Sequence, residues 1–186
     1  MKCTPFKKKI GKPLKRTPFK KKPRKPKTKR MKKLSLLKEL RETYDLPVIT
    51  CSRYGTSKSA TRTDLLKGML WAVFAKCIRK RDKGQCISCG LPKTYEELQA
   101  GHFAPAGGND LELLFMEENV NGECEGCNGF DLFHLVPMRS NLIKKWGIEK
   151  VQEIEEKRQR KGVVKWTELD YVQRINHYYE QLKSYE

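Results

Sequence analysis

The sequence predicts an α+β protein: a small core stapled at paired cysteines, flanked by helices and preceded by a disordered basic N-terminal tail. Three observations lead there. Two Cys-x-x-Cys pairs, Cys86/Cys89 and Cys124/Cys127, stand 34 residues apart. Apolar residues recur at three- and four-residue steps on both sides of these pairs, the spacing of amphipathic helices. Residues 1–33 hold 17 of the 40 Lys and Arg side chains and no acid.

That last observation splits the 186-residue chain in two. Its formal net charge is +18, yet residues 34–186 carry 23 basic against 22 acidic side chains, so the body is close to neutral. Within the tail, Thr4-Pro5-Phe6-Lys7-Lys8-Lys9 returns as Thr17-Pro18-Phe19-Lys20-Lys21-Lys22, and five of the nine prolines lie here. Proline removes backbone donors and fixes φ while the lysines repel one another, so an extended, solvated arm is expected. Such an arm suits phosphate tracking, with Lys7, Lys8, Lys9, Lys20, Lys21, Lys22 and Arg24 as the expected nucleic-acid contacts. Phe6 and Phe19 are suited to stacking on unpaired bases. A tail that only aids solubility is the plainer alternative.

No membrane role is expected, because the longest unbroken apolar run, Met69 to Ala75, is far below the roughly 20 residues of a spanning helix. Nor does an apolar stretch follow the opening lysines as a secretory signal requires. Seven cysteines in such a chain favour a reducing compartment and metal ligation over disulfides, hence a cytoplasmic location.

Residues 34–62 read as a linker. Leu34, Leu36, Leu37 and Leu40 fit a short helix ending near Tyr44; Pro47 breaks it, Val48 to Cys51 is a strand or extended segment, and Ser52 to Thr63 is loop. Thr63 is the expected N-cap of the next helix, with Asp64 favourable in its first turn. Leu65, Leu66, Met69, Leu70, Val73, Phe74 and Cys77 form one stripe, and Gly84 ends the segment. The two cysteine pairs come next. Each pair presents two thiolates on one side of a turn, and together they complete a tetrahedral shell for Zn²⁺, with Gly90 and Gly126 giving the turns latitude. A closed four-thiolate shell is structural rather than water-activating. Between the pairs lie Ala100-Gly101-His102-Phe103, a Gly-rich loop, a probable strand over Leu111 to Phe115, and Asn119; Asn128 follows the last cysteine. Past Pro137, helices are expected over Met138 to Trp146, Glu149 to Arg160, and onward from Thr167 as N-cap, with Leu169, Val172, Ile175, Tyr179 and Leu182 as the last stripe.

These residues carry a family resemblance. Cys86-Ile87-Ser88-Cys89-Gly90, Ala100-Gly101-His102-Phe103, Phe115 to Val120, Cys124-Glu125-Gly126-Cys127-Asn128 and Leu135 to Arg139 resemble the HNH, or ββα-metal, nucleases, and within them the phage NinG/Rap recombination endonucleases. The likeness covers about residues 64–156 and leaves out the tail. Composition and this likeness together divide the chain into four segments: the tail (1–33), a linker (34–62) with a short helix, a zinc-knuckle HNH-like domain (63–146) and a C-terminal helical extension (147–186). The likeness also implies an endonuclease that cleaves branched recombination intermediates such as Holliday junctions, with a possible homodimer supplying two sites. His102 would be the general base, Asn119 would orient it directly or through loop backbone, and Asn128 would bind a catalytic Mg²⁺, or Mn²⁺. Many HNH members place an acidic or histidine ligand directly before the base, where this chain has Gly101. Asp110, Asp131 and Glu112 remain open as the missing carboxylate, and His134 as a further ligand or phosphate contact. The competing functions are a non-catalytic zinc-stapled nucleic-acid-binding module and an HNH nickase of phage DNA packaging or homing. If phage-encoded, the chain would act in the bacterial cytoplasm.

Overall fold

A computed structural model describes residues 28–106, 110–160 and 164–185. The expected tail contacts from Lys7 to Arg24, with Phe6 and Phe19, lie outside the described residues. The apolar stripe after Thr63 becomes a 20-residue helix, and the other elements are arranged around it.

The first helix, α1 (Thr28–Tyr44), begins inside the segment read as tail and is longer than the short helix expected there. Leu40 is fully buried at its C-terminal end, while Met31 and Leu34 stay exposed. The following segment forms neither strand nor free linker, since Leu46, Ile49 and Ala60 are buried in the main core. α2 (Arg62–Arg81) then starts two residues earlier than Thr63 would allow as a cap. Thr61 caps it: Asp64 N–H donates to Thr61 Oγ1 at 3.2 Å, and Thr61 N–H donates to Asp64 Oδ2 at 2.9 Å. A capping box needs its two residues three apart, which pairs Thr61 with Asp64 and excludes Thr63. Bonds from Thr61 hold the Asp64 carboxyl below its usual range.

β1 (Leu98–His102) and β2 (Val120–Cys124) form a two-stranded antiparallel sheet, with Gln99 opposite Glu123, Gly101 opposite Asn121 and His102 opposite Val120. The expected strand at Leu111 is instead a single helical turn, α3 (Leu111–Leu114). Asp110 decides this, because its Oδ1 accepts from Leu113 N–H at 3.1 Å and caps the turn. The run was ambiguous by periodicity, since both Leu113 and Leu114 are buried. A wide helical turn at Gly126–Phe130 leads to α4 (Leu135–Trp146), α5 (Ile148–Arg160) and α6 (Glu168–Lys183), the last capped by Thr167 with Asp170.

Two apolar cores result. In the larger, Leu65, Met69, Leu70, Phe74 and Ile78 of α2 meet Tyr171, Val172, Ile175 and Tyr178 of α6, with Leu114, Phe115 and Val120 closing one end. Each large side chain so buried contributes about 1.5–3 kcal/mol. α6 is therefore part of the core rather than an appendage. The smaller core joins Met138 and Leu142 of α4 to Val151 and Ile154 of α5, over Phe103, Ala104 and Leu113.

A polar clasp fixes the sheet to α2. Asp82, just past α2, accepts from Gly122 N–H at 2.7 Å, from Arg81 Nε at 2.7 Å and from Lys145 Nζ at 2.6 Å. Its side chain is 6% exposed. Burial would raise this carboxyl, but Arg81 and Lys145 hold it below its usual range. Asp82→Ala is expected to lower stability by about 1–3 kcal/mol, since it leaves the Gly122 N–H unpaired and takes an ion-pair partner from both Arg81 and Lys145. Urea unfolding checks this, and a loss below about 0.5 kcal/mol would place Asp82 with ordinary surface positions.

Candidate functional site

The four paired cysteines converge. The Sγ atoms of Cys86, Cys89, Cys124 and Cys127 all lie within 4.8 Å of one another, so they can hold a metal ion such as zinc. The first knuckle is built by Gly90 N–H donating to Cys86 O at 2.9 Å, with Gly90 at φ +72°, a left-handed turn that favours glycine. Gly126 needs no such φ; it opens the wide turn that carries Cys127 and Asn128. Cys124 N–H donates to Cys86 Sγ at 3.3 Å, tying the knuckles together. Burial, then the neighbouring thiols, push the Cys127 thiol up.

His102 ends β1, at the other end of the sheet from Cys124, on the wall of a cleft of ≈ 460 Å³ that Gly101, Asn128, His134 and Arg53 also line. Its ring stacks on Trp71 of α2 with centroids 5.5 Å apart and 10° between planes. Nε2 lies 3.2 Å from Leu114 O. A carbonyl only accepts, so Nε2 carries the proton and Nδ1 keeps a bare lone pair. Burial lowers the His102 pKa to about 4; the bond to Leu114 opposes that and the charge of Arg53 adds to it. The imidazole is thus neutral and oriented at neutral pH, with Nδ1 as its acceptor atom.

Asn119 does not touch His102. Fully buried, it accepts from Ala104 N–H at 2.7 Å and donates to Ala104 O at 3.0 Å and Leu113 O at 2.8 Å. It pins the chain after β1 to α3, whose Leu114 carbonyl holds His102. Asn128 Nδ2 donates to Gln99 Oε1 at 2.7 Å, which turns Oδ1 the other way. His134 stands at the start of α4, its Nδ1 donating to Asp131 O at 2.5 Å and its Nε2 on the side of Glu123.

The candidate carboxylates lie elsewhere. Asp110 caps α3, Asp131 Oδ1 accepts from Phe133 N–H at 2.8 Å, and Glu112 reaches Lys157 at 3.4 Å. None of the three lines the cleft. Glu123 of β2 does not line the cleft either, but it is wholly buried against Gly101, which does: a Cβ there would stand 2.0 Å from its Oε2. Its Oε1 accepts from Ser88 Oγ at 2.5 Å and lies 4.0 Å from His134 Nε2, while the buried Oε2 has no hydrogen-bond partner among the described residues. Burial raises this carboxyl above its usual range, with Ser88 and His134 pulling it back.

A family profile described as "Bacteriophage Lambda NinG protein" matches residues 7–186. The chain belongs to the NinG family. Protein ninG of Escherichia phage lambda is 38% identical over 91 residues, which are 48% of this chain and 42% of that protein. The same identity and the same shares hold for protein ninG of Salmonella phage P22. The relative from Escherichia phage 933W is again 38% identical, over 43% of its length. The matched stretch thus spans less than half the length of these curated relatives. No solved structure matches the chain. Among the described residues, no helix is long and apolar enough to cross a membrane.

Two residues of this NinG-family site escaped the sequence reading. Glu123 sits inside the stretch before Cys124, where nothing local marks it as different from Glu117 or Glu118. Arg53 lies in a segment read as loop, yet its guanidinium is held 4.8 Å over the Trp71 ring, beside His102. Its positive φ of 59° was the one available structural cue, and no composition rule exposes that.

Proposed function

We propose that the protein is a metal-dependent, structure-specific DNA endonuclease acting on branched recombination intermediates such as four-way junctions. The observation that carries this reading is the neutral His102, its Nδ1 bare, held by Trp71 and the Leu114 carbonyl in a cleft that Asn128 also lines. His102 Nδ1 takes a proton from water as the water oxygen attacks phosphorus; the P–O3′ bond breaks and the 3′ oxygen departs. Trp71 and the Leu114 carbonyl keep the ring in register, and Asn119 keeps that carbonyl in place. Arg53 offers a guanidinium to the phosphate from the cleft wall. Asn128 would hold a Mg²⁺, which would supply charge stabilisation for the phosphate oxygens and the leaving oxygen. Zn²⁺ in the four-cysteine shell is structural. The basic N-terminal segment adds sequence-independent affinity. Symmetric cutting of a junction needs two sites, hence a homodimer on the substrate.

The test uses the full chain with a synthetic four-way junction and a linear duplex of matched sequence, in Mg²⁺ and in EDTA. Mg²⁺-dependent nicks near the branch point are expected on the junction alone. Equal cutting of both substrates would remove the junction preference. Binding without cutting, in Mg²⁺ and in Mn²⁺, would replace the enzyme with a zinc-stapled binding module.

A further inference from the structure

Glu123 presents a problem that no residue of the described chain solves. A fully buried carboxylate oxygen without a partner forfeits about 1–3 kcal/mol or more, and native structures keep such groups only when something else satisfies them. The place this oxygen occupies is informative. Strand alternation and the β1–β2 register set Gln99, Gly101 and Glu123 on one face of the sheet. A Cβ on residue 101 would lie 2.0 Å from Glu123 Oε2 and 2.9 Å from Asn128 Oδ1. Two oxygens from different elements therefore converge on one point, and they meet there only because residue 101 has no side chain. Gly101 is itself part of the cleft lining, with His134 opposite.

We propose that Glu123, with Asn128 and His134, forms a divalent-cation site at the floor of this cleft, entered across Gly101. Each donor is already turned to serve it. Ser88 anchors Glu123 by Oε1 and leaves Oε2 free. Gln99 takes the Asn128 amide nitrogen and leaves Oδ1 facing Gly101. The Asp131 carbonyl takes the His134 Nδ1 proton and leaves Nε2 toward Glu123. Such outer hydrogen bonds are what fix the tautomer and aim of ligands around metals. The donor set of carboxylate, amide oxygen and imidazole suits Mn²⁺ or Mg²⁺, while the four thiols retain the softer Zn²⁺. Gly101 is then no gap in the site: it is the space through which a strand-β2 carboxylate reaches the position.

The purpose of the site rests on the nuclease reading, but its geometry does not, so it is tested without DNA. Mn²⁺ binding to the zinc-loaded full chain is measured by electron paramagnetic resonance of the free ion. One Mn²⁺ is expected to bind, and Glu123→Gln, which preserves size and the Ser88 contact, weakens it at least about tenfold. Gly101→Ala removes no donor, but its Cβ takes the space 2.0 Å from Glu123 Oε2 and displaces that oxygen, and it weakens binding similarly. Glu112→Gln removes a different acid and changes nothing. Zinc content and circular dichroism confirm that each variant is folded. Unchanged Mn²⁺ affinity in folded Glu123→Gln would overturn the site, whether or not the protein cuts DNA. Glu123-dependent Mn²⁺ binding in a protein that cuts no DNA would uphold the site and remove only the nuclease reading.

Discussion

His102→Ala is expected to lower junction cleavage by about 10²–10⁴-fold, the usual contribution of a positioned general base, while zinc content and DNA affinity stay near wild type. The acid limb of the pH profile gives a sharper test. An ordinary histidine, with a pKa near 6.5, would be about nine-tenths protonated by pH 5.5 and the rate would fall about tenfold. With its pKa lowered to about 4 by burial, His102 stays a free base there, and the rate between pH 7 and pH 5.5 should change little from this cause. Stability follows with a definite sign. In the unfolded chain the same imidazole titrates near 6.5, so below that pH the unfolded state takes up a proton that the folded state refuses. The folded form keeps its full margin above pH 6.5 and loses it as pH falls toward about 4. A rate that declines along a curve centred at 6.5 would mean that His102 is not held as described, and an unaffected His102→Ala would remove it from the chemistry.

The parts legible in the sequence were those whose meaning is local. Cys-x-x-Cys fixes two thiols by its own turn, so pairing two such motifs needed no fold to interpret. The stripe from Leu65 to Cys77 is likewise a property of one helix, and the six apolar positions named from Leu65 to Phe74 are buried. Errors appeared where two local signals competed. Thr61 and Thr63 are both sound caps alone, and only the three-residue spacing to Asp64 separates them. Leu111 to Phe115 is too short for its period to distinguish strand from helix, so the Asp110 cap settled it. The cleft was the least legible part, because its geometry depends on register between distant strands. Glu123 acquires a role from standing diagonal to Gly101, and that relation does not exist along the chain. Asn119 was expected to orient His102; its actual bonds place a helical turn, and the turn in turn places the histidine.

Removing zinc from the four-cysteine shell is expected to melt the sheet while sparing much of the helical core. The large core is made by α1, α2 and α6, with aromatic contacts such as Phe74–Tyr178 at 5.0 Å that owe nothing to the cysteines. The sheet leans on fewer contacts, since the Asp82 clasp, Val120 and the Trp71–His102 stack are what tie it to α2. Two strands are marginal alone in water, and the cluster around the knuckles holds only Cys86, Leu98 and Cys127 as buried members. A structural zinc site contributes apparent binding free energy of about 10–16 kcal/mol in small domains, enough to decide whether such a hairpin exists. A thiol-competing chelator should therefore abolish amide-exchange protection over Leu98–His102 and Val120–Cys124, with most far-ultraviolet helical signal retained. Cys127→Ser should act in the same direction. Cleavage would fall to background in both, because His102 closes β1 and Asn128 follows Cys127 directly. One zinc per chain is the expected stoichiometry. Full protection of both strands in a protein shown to contain no metal would refute the staple and leave the sheet held by its ties to α2, among them the Asp82 clasp, Val120 and the Trp71–His102 stack.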